Sequence, residues 1–134
     1  GQDYDHGTGH GVGSYLCVHE GPQRLSRISE VPLQEGMILS NEPGYYREGA
    51  FGIRIENLIV VSKAPDLPGG DPREMLQFDT ITWVPIDRNL IDVTLLSADE
   101  RAWVDSYHAD VIAKISDRLS DTARAWLNIA AAPL

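Results

Sequence analysis

Cysteine is nearly absent from this sequence, which has one, Cys17, among 134 residues. A single thiol cannot close an internal disulfide, so the fold cannot depend on one, and this fits a reducing compartment. Long apolar runs are absent as well. The longest, at 59–61 and 129–132, fall far short of the roughly 20 residues that cross a bilayer. We therefore expect no transmembrane helix and no membrane partner.

Basic residues are also scarce. Eleven Lys and Arg stand against twenty Asp and Glu, which gives a formal net charge of -9. Such a surface repels phosphate backbones and has no basic stripe to bind a nucleic acid. With 43% hydrophobic and 23% charged residues, the chain has the composition of a globular protein with a real core. The acidic excess alone is a solubility feature and does not predict a metal site.

The first half of the chain is typical of short strands and turns. Residues 1–21 mix glycine with three histidines, a texture found in turns around a short strand. The apolar run 37–39 leads into the turn signal Asn-Glu-Pro-Gly, which predicts a strand that ends at Glu42. Residues 52–61 predict one continuous strand. Ile53 and Ile55 would lie on one face of it, and Arg54 and Glu56 on the other.

The second half predicts one more strand and two helices. Proline, glycine and aspartate mark a surface loop at 65–72, and a strand is expected at 78–84. Ser97 and Glu100 have the spacing of a capping box, and apolar residues at helical intervals predict a helix over about 97–119. A second helical pattern occupies most of the remaining C-terminus.

Strands first and helices last are typical of an α+β fold, with the helices packed on a mostly antiparallel sheet. Three aromatic residues at helical positions, Trp103, Tyr107 and Trp126, are then expected in the core. This structural role is favoured over a cofactor-binding one for the aromatic stripe.

Five residues of the first half combine an imidazole or a carboxylate with a site-like context: His6, His10, His19, Glu42 and Glu56. Each alone has an ordinary alternative, since a glutamate before Pro-Gly or between isoleucines can simply face water. Together they form a donor set of nitrogen and oxygen without thiolate, which suits Mn, Fe, Co or Zn. Two such ions, about 3.5 to 4 Å apart, would activate a water and polarise a scissile carbonyl. The remaining histidines could donate hydrogen bonds to a substrate.

Other chemical motifs are missing from the sequence. It has no His-Glu-x-x-His, no Gly-x-Ser-x-Gly elbow, and no Gly-x-Gly-x-x-Gly or Walker loop. These absences count against a helical zinc protease, a serine hydrolase of that type and a phosphate-binding loop. Cys17 lies two residues from His19, which along a strand would put both on one face, but this does not show a nucleophile, since a lone cysteine is usually inert.

Three blocks of the sequence resemble the motifs of one peptidase family. They are His6-Gly-Thr-Gly-His10-Gly-Val-Gly followed by Val-His19-Glu-Gly-Pro, then Asn-Glu42-Pro-Gly-Tyr-Tyr46, and Gly-Ile-Arg54-Ile-Glu56-Asn. In this order they are similar to aminopeptidase P and prolidase, members of the creatinase, prolidase and methionine aminopeptidase-like superfamily with the pita-bread fold. The spacing from His10 to His19 resembles the three-domain, cytosolic-type aminopeptidase P more than the prolidases.

The resemblance implies a metal-dependent aminopeptidase that releases the N-terminal residue from peptides with proline in second position. It implies metal-ligand roles for His10, Glu42 and Glu56, with Glu56 bridging two ions and Glu42 also acting as general base. The family's usual metal is Mn2+, and Zn2+ or Co2+ are alternatives. A homodimeric parent is also implied.

The resemblance assigns the other motif residues to the substrate and to the surroundings of the ligands. His6 and His19 would contact the peptide, and Tyr46 would line the site. Arg54 would orient the carboxylates from behind the ligands, as ligand geometry generally requires.

The family supplies two further ligands as aspartates ten residues apart before the first histidine motif. Here only Asp3 and Asp5 precede His6. We therefore expect residues 1–134 to be the C-terminal portion of one pita-bread catalytic domain, with the upstream half and the N-terminal domains absent. Such a fragment should be inactive alone.

Three alternatives remain beside the aminopeptidase. A prolidase-type Xaa-Pro dipeptidase would use the same ligands. A pita-bread binding module without catalysis, or a metal-free hydrolase resembling creatinase, is also conceivable, but the retained histidines and glutamates argue against both.

Overall fold

Seven short strands and two α-helices make up the fold in the computed structural model, which describes residues 3–15 and 17–134. The chain divides into two compact units, Gly1–Thr82 and Trp83–Leu134. The described strands lie in the first unit and the α-helices in the second. The α+β class is therefore confirmed. The glycine-rich segment 1–21 holds one short strand, as expected, although Gly1, Gln2 and Leu16 fall outside the described residues.

The strands pair in antiparallel fashion, as predicted. Their bounds are β1 Gly9–His10, β2 Arg24–Leu25, β3 Ile38–Asn41, β4 Gly44–Arg47, β5 Phe51–Arg54, β6 Asn57–Lys63 and β7 Leu76–Thr80. β1 pairs with β2, β3 with β6, β6 with β7, and β4 with β5. A bridge between Gly11 and Leu39 places the end of β1 beside β3.

The segment from β3 to β6 is one long hairpin with an interruption in its middle. Pairing of β3 with β6 stops after Asn41, and pairing of β4 with β5 resumes at Gly44. Each side of the hairpin contributes two residues to the gap, so the register continues unchanged. Glu42 therefore lies opposite Glu56. A turn at the tip, with Gly49 at φ 70, reverses the chain.

The interruption is caused by Pro43. In the gap, the Ile55 N–H donates to the Pro43 carbonyl at 3.4 Å. Pro43 has no N–H with which to return the bond, so the ladder breaks at this pair. The expectation of one continuous strand over 52–61 was therefore wrong, because Ile55 and Glu56 separate β5 from β6.

The core of the first unit lies on one face of the hairpin. Leu39, Ile59 and Val61 are buried there, against partly buried residues that precede β3. Ile53 and Ile55 remain 39% and 47% exposed, so the apolar face predicted for this region is buried only along β6. Arg54 and Glu56 share the other face, as expected, since Arg54 Nε lies 3.2 Å from Glu56 Oε2.

β7 is displaced from the strand predicted at 78–84. It begins at Leu76 and ends at Thr80, after a loop that includes the predicted 65–72. Beyond Thr80, one of the two hydrogen bonds to β6 is made by a side chain instead of the backbone. The Ile81 N–H still donates to the Leu58 carbonyl at 2.9 Å, but the Leu58 N–H donates to the Thr82 hydroxyl at 2.7 Å. A side chain has replaced the backbone acceptor, so the ladder ends.

The second unit contains the two predicted helices, α1 Ala98–Ile115 and α2 Asp121–Ala130. A turn of 3-10 helix, Ser116–Arg118, completes the helical region expected over 97–119. The capping box is confirmed. The Ser97 hydroxyl accepts the Glu100 N–H at 3.2 Å, and the Glu100 carboxylate accepts the Ser97 N–H at 2.8 Å. No helix within 3–15 or 17–134 is long and apolar enough to cross a membrane.

The aromatic stripe is only partly a core feature. Tyr107 is buried with Val111 and Leu127, as predicted. Trp103 and Trp126 are 56% and 62% exposed, so their assignment to the core was wrong. Trp103 stacks on Tyr107 with ring centroids 5.7 Å apart and an interplanar angle of 5°, which covers one ring face only. Trp126 precedes Leu127, and successive helical side chains point about 100° apart.

Removal of the cap should destabilise the second unit. Ser97→Ala deletes the acceptor for the Glu100 N–H and should cost about 1 kcal/mol of unfolding free energy. Ser106→Ala is the matched control, because Ser106 is an exposed residue inside α1, where alanine is the better helix former. Thermal unfolding should place Ser97→Ala below the wild type and Ser106→Ala at or above it. Equal melting temperatures for the two variants would contradict the assignment.

The capping box should also make stability depend on pH. The pKa of the Glu100 carboxyl lies below its ordinary value, chiefly because the carboxylate accepts the Ser97 N–H. A depressed folded-state pKa stabilises the fold above the ordinary carboxyl pKa, and this contribution is lost as pH falls through the folded value. The stability gap between wild type and Glu100→Gln should therefore shrink from about pH 7 to about pH 3. If thermal melts show the same stability difference between wild type and Glu100→Gln at every pH in this range, the capping box does not make stability depend on pH.

Candidate functional site

His10 is held at the junction of β1 and β3 by two hydrogen bonds. Its backbone N–H donates to the Ser40 hydroxyl at 2.9 Å. Its ring Nδ1 lies 2.9 Å from the Gly11 carbonyl, which can only accept, so Nδ1 carries the proton. The close approach of the strands needs glycine before His10, because a Cβ on Gly9 would collide with the Ser40 carbonyl oxygen.

The other ring nitrogen of His10 faces a carboxylate. Nε2 lies 3.1 Å from Glu42 Oε1. With the proton on Nδ1, both of these atoms present lone pairs, and two acceptors at this distance require a cation between or beside them. A proton or a metal ion can fill that role. Two donor atoms each about 2.1 Å from one ion lie roughly 3 Å apart in octahedral and roughly 3.4 Å apart in tetrahedral geometry, so this pair fits a divalent cation.

Glu42 is fixed from three sides. Its backbone N–H donates to the Thr8 carbonyl at 2.7 Å. Oε1 accepts a hydrogen bond from the Ser40 hydroxyl at 2.9 Å, and Oε2 lies 3.8 Å from Arg54 Nε. The side chain is only 14% exposed, so the carboxylate has a defined orientation on the sheet face.

Arg54 joins the two glutamates. Its Nε lies 3.2 Å from Glu56 Oε2 and 3.8 Å from Glu42 Oε2. The pKa of Arg54 is raised above its usual value, first by the hydrogen bond and charge interaction with Tyr46 and then by Glu56. The guanidinium therefore remains charged beside both carboxylates.

The remaining predicted residues form the exposed rim of this cluster. His6 Nδ1 lies 2.8 Å from the Gly7 carbonyl, so His6 Nε2 accepts from the Tyr46 hydroxyl at 2.7 Å. Tyr46 in turn interacts with Arg54. The ring of His19 lies 4.2 Å from the ring of His10, centroid to centroid. Both His6 nitrogens are thus occupied, and this imidazole must leave Tyr46 before it can bind a substrate through Nε2.

All seven residues singled out from the sequence therefore meet in one network on one side of the hairpin. His10 contacts Glu42 directly, whereas Glu56 is connected through Arg54. Among the described residues, no group of three His, Cys, Asp or Glu side chains is arranged to hold a metal ion. The chemistry of the donor pair fits a divalent cation, and the catalytic and metal-binding roles remain predictions.

Ser40 is the site residue that the sequence analysis missed. It is fully buried and contacts both the backbone of His10 and the carboxylate of Glu42. A signal was present, because Ser40 and Glu42 are two positions apart at a strand end and must therefore share a face.

Comparison with known proteins assigns both units to one family of proteins. The model of metallopeptidase family M24 matches residues 1–63, and the model of the C-terminal region of peptidase M24 matches residues 74–134. The chain is 48% identical over its whole length to a probable Xaa-Pro aminopeptidase P of Sclerotinia sclerotiorum, and 53% identical over 95% of its length to aminopeptidase P2 of Arabidopsis thaliana. It spans only 23% and 18% of these relatives.

A solved structure agrees. The chain superimposes over its full length on 22% of the X-prolyl aminopeptidase from Caenorhabditis elegans, a cytosolic enzyme with a di-nuclear active site, with a TM-score of 0.87 and 37% sequence identity.

The contact between β1 and β3 should tolerate no side chain at position 9. Gly9→Ala should push β1 away from Ser40 and destabilise the protein, on the order of 1–3 kcal/mol, as overpacked sites do. Amide resonances of His10 and Glu42 should shift with it. Gly7→Ala is the control, because its added Cβ would lie 3.9 Å from the Leu25 carbonyl oxygen, an ordinary contact. A Gly9→Ala variant with the melting temperature and spectra of the wild type would show that β1 and β3 can accommodate a Cβ at position 9.

Proposed function

The chain belongs to metallopeptidase family M24, and from this premise we propose that it carries part of the active site of an Xaa-Pro aminopeptidase. The reaction is hydrolysis of the bond between an N-terminal residue and a proline in second position. The observation that carries the proposal is the 3.1 Å approach of His10 Nε2 to Glu42 Oε1 while His10 Nδ1 is engaged by a backbone carbonyl. An imidazole tied in this way offers its lone pair to a cation.

In this function His10, Glu42 and Glu56 would hold divalent metal as its ligands. Mn2+ is the metal we propose, with Zn2+ or Co2+ as substitutes. When bound, the metal would lower the pKa of a water molecule and polarise the scissile carbonyl. Glu42 takes the proton of the attacking water and can pass it to the departing proline nitrogen. Arg54 keeps Glu42 and Glu56 oriented through its contacts with both.

The exposed histidines and Tyr46 face the side from which a peptide would arrive. His19 lies against His10 and can donate a hydrogen bond to the peptide near the metal. His6 does so after it exchanges Tyr46 for the peptide. Both residues are exposed, which suits groups that contact a substrate rather than hold the fold.

The proposal extends to the surroundings of the site. We infer that residues 1–134 are the C-terminal part of one pita-bread catalytic domain, in a cytoplasmic and homodimeric parent. The cytosolic Caenorhabditis elegans enzyme supports the fold and the location. Relatives named Xaa-Pro aminopeptidase P favour an aminopeptidase over a prolidase-type dipeptidase.

Metal binding by the chain should depend on the three ligands. Electron paramagnetic resonance of Mn2+ titrated into the 134-residue protein should show weak binding, since only three of the five implied ligands are present. His10→Ala, Glu42→Gln and Glu56→Gln should each weaken it further, by about tenfold or more. Glu48→Gln removes an exposed carboxylate at the hairpin tip and should have no effect. Equal losses from Glu48→Gln and the ligand variants would mean that the ion binds only to a diffuse acidic surface.

Turnover is tested in a hybrid in which this chain replaces the matching part of the Caenorhabditis elegans enzyme. The hybrid should cleave a tripeptide with proline second and not its alanine analogue, while the 134-residue protein alone should show negligible turnover. Glu42→Gln in the hybrid should lower kcat by about 100-fold or more. A preference for the Xaa-Pro dipeptide over the tripeptide would instead favour the dipeptidase. A well-folded hybrid without any cleavage would contradict the enzyme assignment.

A further inference from the structure

Ser40 occupies the centre of the candidate site without being able to meet a substrate. It lies in β3 with none of its surface exposed. Its hydroxyl accepts the His10 N–H at 2.9 Å and lies 2.9 Å from Glu42 Oε1. A single oxygen atom therefore connects the backbone of one proposed ligand to the carboxylate of another.

The hydroxyl of Ser40 must accept one of these two hydrogen bonds and donate the other. A serine hydroxyl has one proton and two lone pairs. The His10 N–H already occupies a lone pair, so the only proton of Ser40 is directed to Glu42 Oε1. Oε1 is thereby held against the edge of β1, beside His10 Nε2 at 3.1 Å, and Oε2 is turned toward Arg54.

We propose that Ser40 is a positioning residue, which sets the distance between His10 and Glu42 and selects the Glu42 oxygen that faces His10. This inference rests on the proposed function, because it gives Ser40 a role only through those two ligands. A freely rotating Glu42 would lose this orientation, and its Oε1 would approach His10 in only a fraction of conformations.

The competing explanation is that Ser40 merely satisfies a buried N–H group of β1. A structural role of that kind predicts loss of stability without any change in the Glu42 carboxylate or in metal affinity. The bond to Glu42 favours positioning, because it is not needed to satisfy the backbone of His10.

The same sheet supplies a matched control. Ser62, in β6, is a serine whose Oγ is buried and has no hydrogen-bond partner within the described part of the chain. Ser62→Ala and Ser40→Ala therefore remove the same atom from the same sheet. They differ in whether that atom connects two proposed ligands.

Three measurements on the 134-residue protein test the inference. Circular dichroism establishes that each variant is folded. Mn2+ titration gives the affinity, which should fall about 10- to 100-fold in Ser40→Ala, the range found for groups that orient metal ligands, and change less than twofold in Ser62→Ala. Nuclear magnetic resonance of the metal-free protein should show a shifted Glu42 carboxylate carbon and faster exchange of the His10 amide in Ser40→Ala alone.

The outcomes separate this inference from the proposed function. If His10→Ala and Glu42→Gln weaken Mn2+ binding while folded Ser40→Ala binds as the wild type does, the positioning role is overturned and the metal site stands. If His10→Ala and Glu42→Gln have no effect, the metal site fails. Should Ser40→Ala not fold, Ser40→Thr, which keeps the hydroxyl, must retain the Glu42 carboxylate resonance. An unchanged Glu42 resonance in folded Ser40→Ala also overturns the inference.

Discussion

The arrangement of the site depends on the register of one hairpin. Because strand side chains alternate with a period of two, a slip of one residue between the β3–β4 side and the β5–β6 side would send Glu42 and Glu56 to opposite faces. The register is the same on both sides of the gap at Pro43, so the two carboxylates lie on one face, each beside Arg54. Proline breaks the backbone ladder there without changing which residues face each other.

Charge then limits how this cluster can exist. Glu42 and Glu56 bring two negative charges to one side of the hairpin. Arg54, which lies close to both, compensates one of them. The high pKa of Arg54 keeps this compensation in place at any ordinary pH. A net negative charge remains beside an imidazole lone pair, which is an environment that attracts a divalent cation. In the absence of a cation, Arg54 offsets part of the repulsion between the two carboxylates.

Sequence reasoning succeeded where the signal was local. The strand end before Glu42, the capping box at Ser97 and the antiparallel class all follow from a few neighbouring residues. It failed where a distant partner decides the outcome. The break between β5 and β6 is caused by Pro43, which belongs to the opposing strand, and the end of β7 by the bond between Thr82 and Leu58. Trp103 stays 56% exposed although it stacks on Tyr107, because helical spacing does not tell whether another element covers the outer face of its ring.

The network becomes more exposed with distance from Ser40. Ser40 is wholly buried, the side chains of Glu42 and His10 are 14% and 24% exposed, and those of Glu56 and Arg54 are 40% and 50% exposed. Ser40 can orient Glu42 because the backbone of Ser40 is held by the pairing of β3 with β6. Movement of the exposed side chains does not disturb this pairing. The buried hydroxyl of Ser40 is not accessible to solvent, so it can influence the exposed side chains only through the backbone of His10 and the carboxylate of Glu42, to which it is hydrogen-bonded. Loss of the Ser40 hydroxyl would therefore change the position of the Glu42 carboxylate without removing any of the three proposed ligands.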